Sequence, residues 1–271
     1  MSISSLRDYF LPIVFLFVPF GEDGGEITLM TEGLLFGIAL VSALLQGTIG
    51  FGAAIVMINI LPLFMSPGTS IVVTQFACTI SSLYIVIKIW RKVRLDVLLP
   101  LLIPCLVCTF VATKLSVGLD TSTMKVMLGV VFILLAIYFS FVADKISLKP
   151  TKFNGAIVGC ISGVVGGMFV AGGPPAVLYL APALEDKDEY VATIQLYFVA
   201  LNTISLLTRV FSNAVALEDL KYMLNASVGM LIGGYFSLKL GKNLKGTLLK
   251  RFIFTFVGIN GVVMIVNNLS F

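Results

Sequence analysis

The chain has 271 residues, of which 58% are hydrophobic and only 12% are charged, and its mean hydropathy is +1.06. Because soluble domains carry about 25% charged residues, this composition excludes a soluble globular protein and indicates that lipid surrounds most of the chain. The net charge of +4 lies mainly in short loops, which indicates a role in membrane orientation and not in nucleic-acid binding.

The first apolar segment, 9–20, is short and contains two prolines. A helix of this length does not cross a bilayer, which takes about 20 residues. No run of small residues that would mark a signal-peptide cleavage site follows it. We therefore expect residues 1–27 to form an N-terminal interfacial segment.

Two later regions are apolar and interrupted by glycine. The stretch "LLQGTIGFG", 44–52, lies in the first region, 28–65, and "ISGVVGGMFVAGGPP", 161–175, lies in the second, 153–184. Each region is too long for one straight spanning helix and short for two full ones. Because glycine permits a break and the close approach of a ligand, we expect a broken helix pair or a re-entrant hairpin in each.

Three apolar runs follow each broken region, and each is close to the ~20 residues that cross a bilayer as a helix. They are 71–89, 97–113 and 127–143 in the first half and 191–207, 223–238 and 252–266 in the second. None has the alternating pattern of a membrane barrel strand. The expected fold is therefore an all-α, polytopic integral membrane protein.

The two halves correspond to each other along the sequence. The matched residues lie 116, 120 or 125 positions apart, namely Gly47 with Gly163, Gly50 with Gly166, Pro62 with Pro182, Gln75 with Gln195, Lys114 with Lys239 and Lys125 with Lys250. This indicates a transmembrane repeat 1 over 28–142, a basic cytoplasmic linker over 143–152 and a transmembrane repeat 2 over 153–271.

The distribution of Lys and Arg predicts how the repeats are oriented, because cytoplasmic loops carry an excess of these residues. If each broken region begins and ends on one side, the basic residues left outside are only Lys114, Lys125, Arg209 and Lys221. The inside then holds Lys88, Arg91, Lys92, Arg94, Lys145, Lys149, Lys152, Lys187, Lys239, Lys242, Lys245, Lys250 and Arg251. If each region crosses once, the two sides are nearly balanced. The first arrangement makes the repeats inverted relative to one another.

The side-chain chemistry available in the chain excludes several functions. Histidine is absent, and Cys105 and Cys108 lie in an apolar run without further ligands, so we expect no metal site and no cofactor. An intramembrane enzyme would need a nucleophile with a base or clustered acids at depth. A cation pathway would need acidic rings. The sequence predicts none of these.

Inverted repeats with paired broken helices are a recurring plan of secondary transporters. A half-helix that starts after a break directs free N–H groups and the positive end of its dipole into the cavity. Two such ends would bind a small anion without a buried Lys or Arg. Close helix packing is the alternative reading of the glycines.

The stretches "GTIGFGAAIVMINILPLF" and "SGVVGGMFVAGGPPAVLYLAPAL" resemble the TauE/SafE family of sulfite-exporter-like permeases. The resemblance covers the chain after about Leu29, and the "GGPP" block at 172–175 is its most specific part. The first repeat departs from the richer glycine pattern of the family, with Ala53 and Ala54 after Gly52. The resemblance implies a carrier of sulfite, sulfonates or related small organic anions in a bacterial-type inner membrane.

The candidate substrate-binding residues are the glycines of the breaks and the amide, hydroxyl and guanidinium groups near them. They are Gln46, Gly47, Gly50, Gly52, Asn59, Gln75, Ser82, Gly163, Gly166, Gly167, Gly172, Gly173, Pro174, Gln195, Asn202 and Arg209. A buried amide in lipid needs a partner, so interhelical hydrogen bonds are the alternative role for the polar members. Arg209 is expected near the outer end of its helix, as an attraction point for anions or as a side chain that reaches the interface.

These observations predict a secondary transporter that moves small sulfur-containing anions, such as sulfite or sulfoacetate, across the inner membrane by alternating access. An anion channel, or a facilitator for small carboxylates, is the alternative. Coupling through a proton relay of side chains is not expected, because acids lie in loops or at their edges. The expected partners are a small anionic substrate and the lipid bilayer, and a homodimer is left open.

The symmetric glutamines provide a first test. We expect Gln75→Ala and Gln195→Ala each to weaken substrate binding while the protein still folds, because each removes an amide near a break. Binding measured on the purified variants checks this, and unchanged affinity in both would return the two glutamines to packing roles.

Overall fold

The structure, a computed structural model, describes residues 24–49, 51–139, 148–240 and 246–269, with side chains for 31–44, 46, 51–139, 148–237 and 256–268. The helices of the first half are α1 (Gly24–Ile49), α2 (Ala53–Ile60), α3 (Pro67–Ile89), α4 (Leu95–Val117) and α5 (Thr121–Ile137). Those of the second half are α6 (Lys152–Phe169), α7 (Gly173–Ala183), α8 (Lys187–Phe211), α9 (Asp219–Leu240) and α10 (Gly246–Leu269). Short 3₁₀ turns, Leu61–Leu63 and Trp90–Lys92, follow α2 and α3.

Local sequence signals explain where many of these helices begin. Ser66, Asp120, Thr151 and Asp186 each precede a helix, and each side chain accepts a hydrogen bond from a backbone N–H in the first turn. Such caps satisfy donors that have no partner within the helix. The starts of α2 and α7 differ, because glycine caps both and provides no side-chain acceptor, and Arg94 before α4 forms no such cap either.

The helices of each half pack mainly against helices of the other half. The most extensive contacts join α4 to α6 and α1 to α9, so the fourth helix of each half lies against the first helix of the other. The next largest contacts join α5 to α10 and α3 to α8, which are the same positions in the two halves. A two-fold relation between the halves would produce this pattern.

Glycines let α4 and α6 approach each other closely. A Cβ atom on Gly159 would lie 2.3 Å from the Leu101 carbonyl oxygen, and one on Gly163 would lie 2.4 Å from that of Cys105. Backbones in lipid pack through such small residues, because van der Waals contact replaces the hydrophobic driving force. The residue numbers rise together along both helices, so α4 and α6 run in the same direction.

The α1–α9 contact repeats this arrangement. Gly229 faces the Phe36 carbonyl and Gly233 faces the Leu40 carbonyl, at 2.7 and 2.4 Å from the ideal Cβ positions. These two helices also run in the same direction. In contrast, α5 and α10 are antiparallel, since Gly129 contacts Ile265 while Ala136 contacts Gly258.

Polar contacts define the two ends of the bundle. Arg94, which precedes α4, forms ion pairs with Asp96 at 2.8 Å and with Glu189, in the first turn of α8, at 3.1 Å. The hydrogen bonds that Arg94 donates to Asp96 and the charge of that carboxylate, and then the same two effects of Glu189, raise the pKa of the Arg94 guanidinium. The basic α3–α4 connection and the start of α8 therefore share one end of the bundle, as the Lys and Arg distribution predicts.

The second broken region returns to the end from which it starts. Near the start of α6, Gly155 faces Tyr179 of α7 and Pro100 of α4. The chain then runs along α6, reverses at 170–172 and comes back through α7 to the start of α8. This is the hairpin arrangement expected from the sequence, and it places the start of α7 inside the bundle.

The outer face of the bundle is apolar, as for instance at Ile103, Val107 and Phe110 of α4, which are exposed. Within the described ranges, four helices are long and apolar enough to cross a membrane: Pro67–Lys92, Leu95–Val117, Lys152–Phe169 and Lys187–Phe211. Shorter apolar helices lie within α1, α2, α5 and α10. The all-α, polytopic membrane fold is thus confirmed.

Only some of the other expected segments lie within the described residues. The six apolar runs coincide with α3, α4, α5, α8, α9 and α10. Of the expected interfacial segment, 1–27, residues 1–23 lie outside the described part of the chain, and so does half of the expected linker, 143–147. The repeat boundaries and the inversion of the repeats stay predictions.

Glycine at the α4–α6 contact is expected to be essential for stability. Gly163→Ala places a Cβ against the backbone of Cys105, which must shift, and overpacking of this kind costs about 1–3 kcal/mol. Gly37→Ala is the matched control, because nothing lies within 4 Å of its Cβ position and alanine favours a helix. Thermal unfolding in detergent should show a lower midpoint for Gly163→Ala alone, and equal midpoints would contradict the packing.

Candidate functional site

A cleft lies between the two helix breaks and the middles of α3 and α8. It is open at its mouth, and its cavity volume, taken as the space that the centre of a water-sized sphere can reach, is about 20 Å³. Its lining comprises Gln46, Phe51, Gly52, Ala53, Ala54, Ile55, Cys78, Ser82, Val170, Gly172, Gly173, Phe198, Leu201 and Asn202. Both halves therefore contribute the corresponding elements, which are a break, the half-helix after it and the next long helix.

The start of α2 points backbone donors into the cleft. Gly52 caps this helix at φ 108°, a left-handed conformation that favours glycine. The first helical bond runs from the Val56 N–H to the Gly52 carbonyl, at 3.1 Å. The N–H groups of Ala53, Ala54 and Ile55, which all line the cleft, have no acceptor within the helix.

The start of α7 lies across the cleft but offers fewer donors. Gly172 caps it, and Gly173 is its first residue. These two residues lie 120 positions after Gly52, the cap of α2, and Ala53, the first residue of α2. Proline follows at 174 and 175 and lacks an N–H group. Of the first three residues of α7, only Gly173 therefore donates, although the helix dipole is retained.

Two polar side chains complete the cleft. Ser82 of α3 and Asn202 of α8 both line it, and they are 0% and 3% exposed. The Ser82 hydroxyl has no hydrogen-bond partner, and the Asn202 side chain forms none among the described residues. A buried polar group without a partner is costly, so these two groups are available to a ligand.

Gln46 also lines the cleft, and its side chain is held in place by Gln195, one of the residues predicted from the sequence. Its Nε2 donates to Oε1 of Gln195 at 2.9 Å, and both side chains are buried. Gln195 itself is absent from the lining. It therefore acts behind the cleft, by holding Gln46.

The end of α6 carries backbone strain next to the cleft. The Val170 N–H bonds to the Gly166 carbonyl at 3.0 Å, and the Ala171 N–H reaches that of Val165 at 3.5 Å. The bond from Val170 to Gly166 is that of the αL motif of helix ends, whose left-handed position glycine usually occupies. Val170 occupies it here with φ 58°, which is an outlier for a β-branched residue.

A buried hydroxyl pair fixes the second break to α8. Ser162 donates to the Gly172 carbonyl and also contacts the Tyr197 hydroxyl. The Tyr197 hydroxyl in turn lies 3.1 Å from the sulfur of Cys105 on α4. The cap of α7 is thus tied to three other helices. The sequence shows Ser162 as a small polar residue within the second broken region, but no sequence pattern indicated that Tyr197 would contact it.

A second polar network surrounds the end of α6. The Gly167 carbonyl accepts from Thr113 at 3.0 Å, from Arg209 at 3.1 Å and from Ser205 at 3.3 Å. Gln75 joins through its Nε2, which lies 2.6 Å from the Ser205 hydroxyl. Gln75 is therefore fully buried in an interhelical network and does not line the cleft.

Arg209 is buried and faces the protein, not the interface. It is 2% exposed, and its Nη2 donates to Ser116 and to the carbonyls of Gly167 and Met168. A cation is favourable there, because the last carbonyls of α6 have no helical partner and carry negative partial charge. The guanidinium caps α6 and lies outside the cleft lining.

The remaining predicted residues have packing roles or lie beyond the described part. Gly163 and Gly167 contact α4, while Gly166 approaches Gly172. Asn59 bonds to Asn260 of α10. Pro174 is buried at the start of α7, Gly47 lies in α1, and Gly50 is not described.

Of the predicted residues, the cleft thus brings together Gln46, Gly52, Ser82, Gly172, Gly173 and Asn202. The sequence reasoning missed its apolar wall and its thiol. The repeat spacing could have indicated two of the missed residues, Cys78 and Phe198. They lie 120 positions apart, as Ser82 and Asn202 do. The capping glycines also correspond at 120 and not at the 116 assigned to the neighbouring glycines.

The sequence matches the model of the family described as "Sulfite exporter TauE/SafE" over residues 35–264. The chain belongs to this family. Membership makes it a membrane transporter of the sulfite-exporter, anion-transporting type, and agrees with the expectation that it is not an enzyme. Neither a curated protein nor a solved structure matches the chain significantly.

The Tyr197 hydroxyl is expected to stabilise the second break. Tyr197→Phe removes its contacts with Ser162 and Cys105, and a buried hydrogen bond contributes about 0.5–1.5 kcal/mol. Tyr84→Phe is the matched control, because the Tyr84 hydroxyl forms no hydrogen bond among the described residues and phenylalanine retains the ring beside Lys88. Thermal unfolding of both variants in detergent checks this, and an unchanged midpoint for Tyr197→Phe would show that the contact contributes nothing.

Proposed function

We propose that this member of the family is a secondary transporter that binds a small anion in the cleft and carries it across a bacterial inner membrane by alternating access. The observation that supports this is the convergence of two half-helix starts on a cleft with unpartnered donors from Ser82 and Asn202. Helix starts favour anions through free N–H groups and the dipole.

The donors fit the oxygens of sulfite, a sulfonate or a carboxylate. The α2 start provides N–H groups on one side, and Gly173, Ser82 and Asn202 provide donors on the others. Phe51, Ile55 and Phe198 form an apolar wall beside them. This wall favours a small organic anion, such as an organosulfonate, over an ion that is polar on every side.

The exchange of helices between the halves supports an inverted repeat and a rocking motion. Parallel contacts of α4 with α6 and of α1 with α9, combined with antiparallel contacts of α5 with α10, are what an axis in the membrane plane would produce. Transporters of this plan move one repeat against the other around a fixed site. The basic end at Arg94 and Lys187 would then face the cytoplasm.

The test of the site uses matched pairs of variants. Ser82→Ala and Asn202→Leu should each weaken methanesulfonate or sulfite binding about tenfold or more, because each removes a donor to an anion. Ser122→Ala and Asn267→Leu make the same changes at exposed positions and should bind as the wild type does. Wild-type affinity in both cleft variants, with folding intact, would exclude the cleft as the site.

Transport in liposomes distinguishes a carrier from a channel. A carrier should saturate with substrate and should show counterflow of labelled substrate against an unlabelled internal pool, because one site alternates between the two sides. Flux that does not saturate and shows no counterflow would favour the anion-channel alternative.

A further inference from the structure

The cleft contains no formal charge on its described lining. The residues that α1, α2, α3, α7 and α8 contribute include no Lys, Arg, Asp or Glu, and the only titratable side chain is the Cys78 thiol. Gln46, Ser82 and Asn202 donate hydrogen bonds as neutral groups. Among the described residues, only the backbone is therefore left to balance the charge of a bound anion.

The backbone supplies about one unit of positive charge. Each helix start carries roughly +0.5 of an elementary charge, so the starts of α2 and α7 together carry about +1. Proline at 174 and 175 removes two N–H donors from the second of them. No third helix start contributes to the described lining.

The groups behind the lining do not alter this balance. Arg209 lies seven residues beyond Asn202 on α8, about two turns away, and its guanidinium caps the negative end of α6 at Gly167 and Met168. The Tyr197 hydroxyl is held between Ser162 and Cys105. The end of α6 and its cation thus partly offset each other outside the cleft.

The Ser82 hydroxyl is the independent sign that a ligand binds here. It is fully buried, lines the cleft and has no hydrogen-bond partner in the described part of the chain. Because a hydroxyl adds a donor but no charge, it improves the recognition of an anion's oxygens without balancing a second charge. The apolar wall at Phe51, Ile55, Val170, Phe198 and Leu201 offers nothing to a second charge either.

We infer that the cleft selects singly charged anions and rejects doubly charged anions of the same shape. This inference rests on the proposed function, since it requires that anions bind in the cleft. A second charge would lose its hydration in a site of low dielectric and find no fixed positive partner. Sulfite would accordingly bind as its protonated, singly charged form, and sulfonates without a second acidic group would bind at any pH. Sulfoacetate, which the sequence analysis names as a candidate substrate, carries a carboxylate besides its sulfonate, so the inference excludes it at neutral pH.

The probes are methanesulfonate and methylphosphonate, which have the same shape but differ in charge above neutral pH. The affinity of the protein for methanesulfonate should be the same at about pH 5 and about pH 9. Its affinity for methylphosphonate, which is doubly charged at the higher pH, should be about 100-fold lower at about pH 9 than at about pH 5. The methanesulfonate series also controls for titration of the protein itself. Equal affinity for the two ligands at the higher pH would overturn the inference.

A pair of variants tests the charge balance directly. Asn202→Lys adds a cation to the lining and should raise methylphosphonate affinity relative to methanesulfonate at the higher pH, while Asn202→Leu should leave that ratio unchanged. An unchanged ratio in a folded Asn202→Lys variant would contradict the inference, and the wild-type comparison decides if that variant does not fold. Failure of both ligands to bind at any pH would instead refute the proposed function.

Discussion

The structure depends on one constraint, which is that a backbone N–H or C=O group surrounded by lipid must find a partner within the protein. Continuous helices meet this constraint locally, and breaks do not. Both breaks are accordingly enclosed by other helices, and the end of α6 is satisfied by Thr113, Ser205 and Arg209. The N–H groups at the starts of α2 and α7 have no acceptor within their helices, and the residues that carry them line the cleft.

The exchange of helices between the halves creates this enclosure. α6 reaches its break while packed against α4 of the other half, and the contact is close because glycines face the backbone of α4. α1 relates to α9 in the same way. Each break is thus held by helices from both halves, and a movement of one half against the other would change the surroundings of both breaks together.

The two breaks differ in ways that matter for chemistry. The first provides three free N–H groups after Gly52, whereas prolines at 174 and 175 leave the second with its dipole and the Gly173 donor. The second is braced by Ser162 and Tyr197 and carries strain at Val170. The residue 120 positions before Val170 is Gly50, and glycine adopts a left-handed conformation without the steric cost that valine has.

The sequence by itself determined the membrane class, the helical fold, the two broken regions and the family. Apolar length, absence of histidine and glycine spacing depend on composition and on local backbone physics, which need no tertiary information. It also indicated Ser82 and Asn202 as candidate site residues, because they are polar residues within apolar runs and lie 120 positions apart.

Only the tertiary structure decided which polar residues reach the cleft. Gln75 and Gln195 follow the same repeat spacing as Ser82 and Asn202, yet both have buried partners, Ser205 and Gln46. The rotation of each helix about its axis determines whether a residue faces the cleft, and packing with neighbouring helices sets that rotation. Arg209 shows the same limit, because its binding to the end of α6 joins positions 42 residues apart in the chain.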